Sequence, residues 1–333
     1  MTRTIAAIAT NGCSGAMRVL FWGTPEFATA PLRALIGEGF DVVGVVTQPD
    51  KPVGRSRSST QMSPVKKVAL DESIPVLQPE KPRGDEFIAA MAALNADVSV
   101  VVAYGHILPK AVIDMPRLGT LNIHASLLPK YRGAAPIQAA IRDGVHETGV
   151  SIMQMVPALD AGPVIHTART TILEDETSLE LSLRLSEIGA NALIEALAML
   201  ELGAATPMEQ DDSHATYAHK LTRESAKVDW TQSAHDVSRH LRAYDPKPGA
   251  WGLVNGAEVK LFGARTAPRG TVHEPGEVLA VDGAGMLVAC GAGAVRVLAV
   301  QPAGKKRLSP EEWSRGRGIA PGDRFDTKAG SAA

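Results

Sequence analysis

Three apolar runs of strand length, RVLFWG at 18–23, DVVGVVTQ at 41–48 and DVSVVVAYG at 97–105, are separated by stretches with helical spacing such as Glu86 to Leu94. That order specifies βαβ units and a parallel sheet, because parallel neighbours need a crossover connection that a helix supplies. Pro25 suits a first helical turn after Thr24, whereas Pro31 marks a kink or a restart within the same segment.

The sheet should continue with TLNIHA at 120–125, followed by a helix from Ala134 to Asp143. Two alternating runs, GVSIMQM and GPVIHTA, are joined by VPALDA and read as a hairpin. Thr177 and Glu180 form a capping-box pattern, after which Leu181, Leu185, Ile188, Leu193, Leu197 and Leu200 carry a long helix that stops at Gly203 and should pack across this first domain. Residues 204–219 are polar and irregular, and read as a linker. Beyond them a helix around Ser233 to Ala243 precedes the short runs AEVKLFG, GEVLAV, GMLVAC and AVRVLAV, broken by DGAG and GAGA turns. Short strands with tight turns in about a hundred residues suggest a small β-barrel. The expected fold class is therefore α/β: a Rossmann-like domain with a mostly parallel sheet over 17–203, then a smaller barrel over 220–328. Met17 directly precedes the first strand, so residues 1–16 read as an unstructured tail.

Bulk properties narrow the function classes. A chain of 333 residues with 45% hydrophobic residues is long enough for two cored domains. It has no run approaching the roughly 18 apolar residues of a membrane span. Cys13 and Cys290 lack CxxC or Cys/His spacing, so neither a disulfide framework nor a zinc site is indicated, and a reducing, cytoplasmic setting fits best. The net charge of −2 hides an asymmetry: from Ala215 onward seven Lys and ten Arg face twelve Asp and Glu, so the C-terminal part is basic and the rest acidic. Such an excess suits an anionic partner, or is ordinary surface charge.

The turn FWGTPEF occupies the place of a dinucleotide fingerprint but holds one glycine, with Pro25 and Glu26 where a pyrophosphate would approach, which argues against nicotinamide or flavin binding. In LNIHA, strand alternation puts Asn122 and His124 on one face at the carboxyl end of a parallel strand, where open α/β sheets place ligand crevices. The pair reads either as a satisfied strand-end pair or as a site. The stiff loop that follows, with Pro129, Gly133 and Pro136, favours preorganised binding. Asp160, in the hairpin connection, is the only acid between Ser151 and His166, and a carboxylate there could reach the pair. An amide, an imidazole and a carboxylate suit acyl transfer to a nitrogen: Asn122 and protonated His124 stabilise an oxyanion while Asp160 orients the ring and assists proton removal. Ser126 as a hydrolytic nucleophile lacks a GxSxG elbow, and one His with one Asp makes no metal site.

NIHASLLPKYRGAAPI followed by TGVSIMQMVPALDAGPVI resembles the 10-formyltetrahydrofolate-dependent formyltransferases, and Asn122, His124 and Asp160 match that family's catalytic trio. The resemblance implies that Ser126, Leu127, Leu128 and Pro129 border the folate, and that Ala103, Tyr104, Gly105, Ile107 and Leu108 line the pterin pocket. It implies 10-formyltetrahydrofolate as donor and co-substrate, no metal, and no covalent enzyme intermediate. FWGTPEFA, TQPDKPVGR, and the stretches from KLTRESAKVDW through LRAYDPKPGAW to LAVQPAGKKRLSPEEW are similar to members whose acceptor is the methionyl group of initiator transfer RNA, and imply an OB-like barrel that helps hold that RNA. Arg55, Arg57, Lys220, Arg223, Arg242, Lys305 and Lys306 then become RNA-facing candidates, with Arg239 and Arg307 beside them. After VGR the chain continues SRSSTQ, where the family commonly has further Lys residues. A monomer is expected. Two rival readings stay open: a formyltransferase acting on a small amine, and a non-catalytic RNA-binding protein.

Overall fold

The computed structural model describes residues 16–53, 59–267 and 273–327. The expected tail up to residue 15, together with Arg55, Arg57 and Cys13, lies outside the described residues. In chain order the strands of the N-terminal part are β1 (Arg18–Gly23), β2 (Asp41–Val46), β3 (Lys51–Val53), β4 (Ser59–Gln61), β5 (Val76–Leu77), β6 (Val98–Val102), β7 (Thr120–His124), β8 (Arg132–Gly133), β9 (Glu147–Gln154) and β10 (Val164–Thr171). Its helices are α1 (Thr29–Gly37), α2 (Pro64–Asp71), α3 (Asp85–Ala93), α4 (Lys110–Ile113), α5 (Pro136–Asp143) and α6 (Ser178–Glu201).

Seven strands form one sheet in the order β10-β9-β7-β6-β1-β2-β5. The pairs β5–β2, β2–β1, β1–β6 and β6–β7 are parallel, and the β9–β10 hairpin adds antiparallel to β7. Both faces are buried, as parallel sheets require. Val19, Phe21, Val45, Val100, Leu121 and Ile123 turn to the face packed with α1 and α6; Leu20, Trp22, Val46 and Val101 turn to the other, with Met91 of α3, Leu108, and Val112 and Ile113 of α4. Gly189 of α6 lets the helix approach closely, since a Cβ there would lie 3.0 Å from Ile123 Cγ2. Local chemistry fixes the helix starts. Ser63 caps α2 at Lys66 N, and Thr177 and Glu180 close the expected capping box on α6. Pro31 marks a restart: a short 3-10 turn at Glu26–Ala28 precedes α1, and Pro31 sits in the first turn of α1, where its missing N–H costs nothing.

The segment expected as an irregular linker is instead laid across the first domain. Met208 exchanges main-chain hydrogen bonds with Val164, and β11 (Tyr217–Ala218) pairs in parallel with β8. The C-terminal part then has α7 (Ala234–Tyr244), β12 (Ala250–Val254), β13 (Ala257–Ala267), β14 (Val278–Asp282), β15 (Gly285–Ala289), β16 (Ala294–Pro302) and α8 (Pro310–Arg315). Its antiparallel order is β12-β13-β16-β15-β14. The final described segment bridges both outer strands, Phe325 with Val254 and Arg324 with Glu277, and so closes the sheet into a barrel. Phe325 is fully buried, 5.1 Å from the ring of Trp230, and a side chain of this size contributes about 1.5–3 kcal/mol through burial. Strand β12 was not expected, because AWGLV follows the Pro246/Pro248 turn and its glycine masks the apolar alternation.

Candidate active site

The carboxyl ends of β1, β2, β6 and β7 converge on a cluster of loops. Asn122 lies beside Val101 of β6 and Met153 of β9, half-buried, and among the described residues nothing hydrogen-bonds its carboxamide. His124 follows on the same face and is 5% exposed. Its Nε2 lies 2.9 Å from the carbonyl of Tyr131. A carbonyl only accepts, so Nε2 carries a proton and donates it, which leaves Nδ1 as the ring nitrogen free for exchange. Nδ1 faces Asp160 Oδ2 at 3.7 Å, beyond direct hydrogen-bond length. The carboxylate thus reaches the imidazole across a gap rather than gripping it.

Asp160 is oriented by a different partner. Its Oδ2 accepts from Gly133 N at 2.8 Å, and its backbone is in the left-handed region at φ +47°. Gly133 itself has φ +116°, and a Cβ there would meet Ala218 O at 2.7 Å. The stiff loop therefore shares one task that the sequence reading gave to Asp160, orienting the ring, and adds another, aiming the acid. Tyr131 sets the ring tautomer through its carbonyl, and Gly133 aims the acid. Both act through main-chain atoms, so residue type does not reveal either role; only the glycine at 133 marks its position.

Ser126 is fully buried and its hydroxyl donates to Lys130 O at 2.6 Å, so it is spent within the loop. Leu127, Leu128 and Pro129 are half-buried beside it, with the Leu128–Pro129 bond cis. Ser151 Oγ ties this segment to β9, donating to Ser126 O at 2.8 Å and accepting from Leu128 N at 3.1 Å. The second expected segment is split. Tyr104 turns inward, edge-on to Trp22 at 5.2 Å, and its buried hydroxyl has no hydrogen-bond partner among the described residues; Leu108 is buried as well. Ala103 and Gly105 are exposed with positive φ, and Ile107 is 89% exposed. Gln48 Nε2 holds the turn by donating to Tyr104 O at 2.9 Å.

The expected RNA-facing residues separate likewise. Lys220, Arg223, Lys305 and Lys306 are exposed. Arg223 pairs with Glu258 and lies over the Trp251 ring at 4.7 Å, while Arg307 lies over Phe262 at 4.1 Å. Arg242 is a correction: it is 7% exposed and donates through Nη1 to Glu176 O at 2.9 Å, so it joins α7 to the first domain and presents no charge to an RNA. Arg239 is tied to Asp236. Lys66, in the first turn of α2, is bound to Asp50 at 2.6 Å and to Gln78 Oε1 at 2.7 Å. A cleft of about 350 Å³ between α5 and α7, lined by Ile141, His146, Asp175, Arg239 and Arg242 among others, includes none of Asn122, His124 and Asp160. Among the described residues no cluster of three His, Cys, Asp or Glu side chains is placed to hold a metal ion.

An amide with free donors, an imidazole of fixed tautomer and an aimed carboxylate at the carboxyl ends of a mostly parallel α/β sheet define a group-transfer enzyme. Residues 17–197 match the formyl transferase family, and residues 220–318 match the formyl transferase C-terminal domain. The chain belongs to the formyl transferase family. It is 46% identical over 310 residues to the methionyl-tRNA formyltransferase of Thiobacillus denitrificans, covering 93% of this chain and 99% of that one. It is also 46% identical over 308 residues to that of Stutzerimonas stutzeri, covering 92% and 97%. In fold it is similar to HypX from Aquifex aeolicus, solved in complex with tetrahydrofolic acid, with a TM-score of 0.63 at 21% identity; the match covers 90% of this chain and 47% of that one, so the chain spans about half of HypX.

Proposed function

We propose that this enzyme transfers the formyl group of 10-formyltetrahydrofolate to the α-amino group of methionyl initiator transfer RNA, giving N-formylmethionyl-transfer RNA for translation initiation. Carrying most weight is the convergence of Asn122, His124 and Asp160 in a chain 46% identical, over nearly its whole length, to methionyl-tRNA formyltransferases. The site suits the donor. Among the described residues the main-chain N–H groups of Gly105 to Leu108 have no hydrogen-bond acceptor, and Ile107 offers an apolar side chain to cover a flat ring, with the half-buried Leu127, Leu128 and Pro129 following the Asn122/His124 pair in the chain.

When bound, the donor supplies the formyl carbon that the amine attacks. Asn122 donates from its carboxamide to the formyl oxygen, where negative charge develops. His124, its ring held through Nε2 by Tyr131, turns Nδ1 towards Asp160, and Asp160, held by Gly133, accepts the proton that the attacking amine releases. That proton is returned to the folate nitrogen from which the formyl group departs, so the exchange is neutral. The exposed Lys220, Arg223, Lys305 and Lys306 act as phosphate contacts, which position RNA without reading its bases. The Arg55 and Arg57 contacts are proposed from the sequence alone. The enzyme works as a cytoplasmic monomer; Cys290 is a buried free thiol and the barrel closes on its own chain, both of which support that reading, and no described helix is long and apolar enough to cross a membrane. Light scattering on the purified chain checks the monomer.

The test is an acceptor comparison: the protein is mixed with 10-formyltetrahydrofolate and, separately, methionyl initiator transfer RNA, a small amine, or free methionine. Formylation of the charged RNA alone supports the proposal. Formylation of only the small amine, or RNA binding without turnover, overturns it.

A further inference from the structure

The connector between the two domains is fastened to the loop that carries Asp160. Gln210, half-buried within it, donates from Nε2 to two main-chain carbonyls of that loop, Asp160 O at 2.8 Å and Gly162 O at 2.7 Å. Its Oε1 accepts from Arg132 Nε at 3.1 Å and from Nη2 at 2.8 Å. The side chain of Arg132 is 4% exposed, and its Nη2 also donates to Asp212 Oδ1 at 2.7 Å. Arg132 lies in β8 between Tyr131, whose carbonyl holds His124, and Gly133, whose N–H holds Asp160. Its own N–H goes to Thr216 O at 2.9 Å, and Tyr131 N goes to Thr216 Oγ1 at 2.9 Å.

One carboxamide therefore joins the segment that sets the imidazole to the segment that carries the acid. The loop needs such a tie. Asp160 sits at φ +47°, a conformation that its own local preferences do not enforce, and Gly162 is pressed so close to Gln154 O that a Cβ would lie 1.8 Å from it. A carboxamide bonded on both sides has one orientation. It cannot shift without releasing either a buried guanidinium or two carbonyls.

We infer that Gln210, held by Arg132, is a positioning residue that fixes Asp160 opposite His124 during formyl transfer. This deepens the proposed function and rests on its assignment of Asp160. A second consequence follows from place in the chain: the tie belongs to the connector that runs on to Lys220 and Arg223, so the acid is set by the same strand of chain that leads to the barrel.

Gln210→Glu is the discriminating variant. It keeps an acceptor for Arg132, and with it the buried ion's partner, but removes both donors to the Asp160 loop. The expected result is a kcat for methionyl initiator transfer RNA lowered roughly tenfold to a hundredfold, the scale on which small misplacements act, with the KM for 10-formyltetrahydrofolate and the melting temperature little changed. Gln210→Met, which removes all polar contacts at similar size, should lose at least as much and serves if the first variant folds poorly. The effect must also vanish in the background of Asp160→Asn: Gln210→Glu added to that variant should slow it no further, because a residue that acts through Asp160 has nothing left to position. Wild-type kcat in Gln210→Glu, or a further full loss when it is added to Asp160→Asn, overturns the inference. An Asp160→Asn single variant with normal turnover contradicts the role of Asp160 itself, which separates the two failures.

Discussion

Asn122 illustrates how a single side chain can be marked by what it lacks: a half-buried carboxamide at a strand end, with no hydrogen-bond partner among the described residues, is ready to donate to a substrate oxygen. Asn122→Ala is expected to lower kcat by about 10²–10³ with the melting temperature nearly unchanged, the usual effect of losing one oxyanion donor. Normal turnover in that variant removes the amide from the mechanism. Tyr104 makes an opposite case. Burial pushes its hydroxyl up to about 12 from an ordinary 10.0, and among the described residues the hydroxyl has no partner. A raised folded-state value means that the protonated form contributes stability fully below the ordinary value, and that this is lost as pH rises from there towards 12. Tyr104→Phe should thus match or exceed the wild type in urea stability at pH 8 and fall off less between pH 10 and 12. A steeper alkaline loss in the variant would show instead that the fold favours the phenolate over the phenol. Cys290, pushed up to about 12 by burial, should resist iodoacetamide at pH 8 until the barrel is unfolded in urea, as read by mass spectrometry of its peptide.

Elements were legible in proportion to how local their causes are. The βαβ order, the β9–β10 hairpin and the capped α6 follow from spacing and caps, and the strand-end placement of Asn122 and His124 follows from the two-residue period of β7. What stayed hidden depends on main-chain partners distant in sequence. Residues 204–219 look like a linker because they are polar, yet their backbone and amide groups are directed at β8 and at the Asp160 loop, and no hydrophobic period signals that. Tyr131 and Gly133 act through a carbonyl and an N–H, which any residue possesses. Gly133 alone betrays its position, since φ +116° and the nearby Ala218 carbonyl exclude a Cβ. Gly133→Ala should cost about 1–3 kcal/mol of stability from backbone strain and also lower turnover by displacing the N–H that aims Asp160; loss of stability with wild-type kcat would detach that N–H from the reaction.

At the scale of the whole molecule, α7 packs on α5 and β13, Arg242 donates into the first domain, and Ser178 Oγ donates to Asp245 O at 2.8 Å. One continuous apolar cluster runs from Val19 through Leu241 to Phe325. Calorimetry should therefore record one cooperative transition; two well-separated ones would show that the interface is not part of the fold. Arg242→Met should leave the KM for transfer RNA unchanged, because the guanidinium is buried between the domains. The acidic first domain and the basic barrel are joined through a connector that touches the Asp160 loop, so under the proposed function group transfer and RNA holding would be coupled through one stretch of chain. Single-turnover formylation of methionyl initiator transfer RNA by the wild type, by Asn122→Ala, by Asp160→Asn and by the double variant tests that most directly. The expected result is N-formylmethionyl-transfer RNA from the wild type, slowing of about a hundredfold or more in each single variant, and a double variant little slower than the worse single one, as groups acting as a unit behave. Wild-type rates in both single variants, or no formylated product from the wild type, would contradict it.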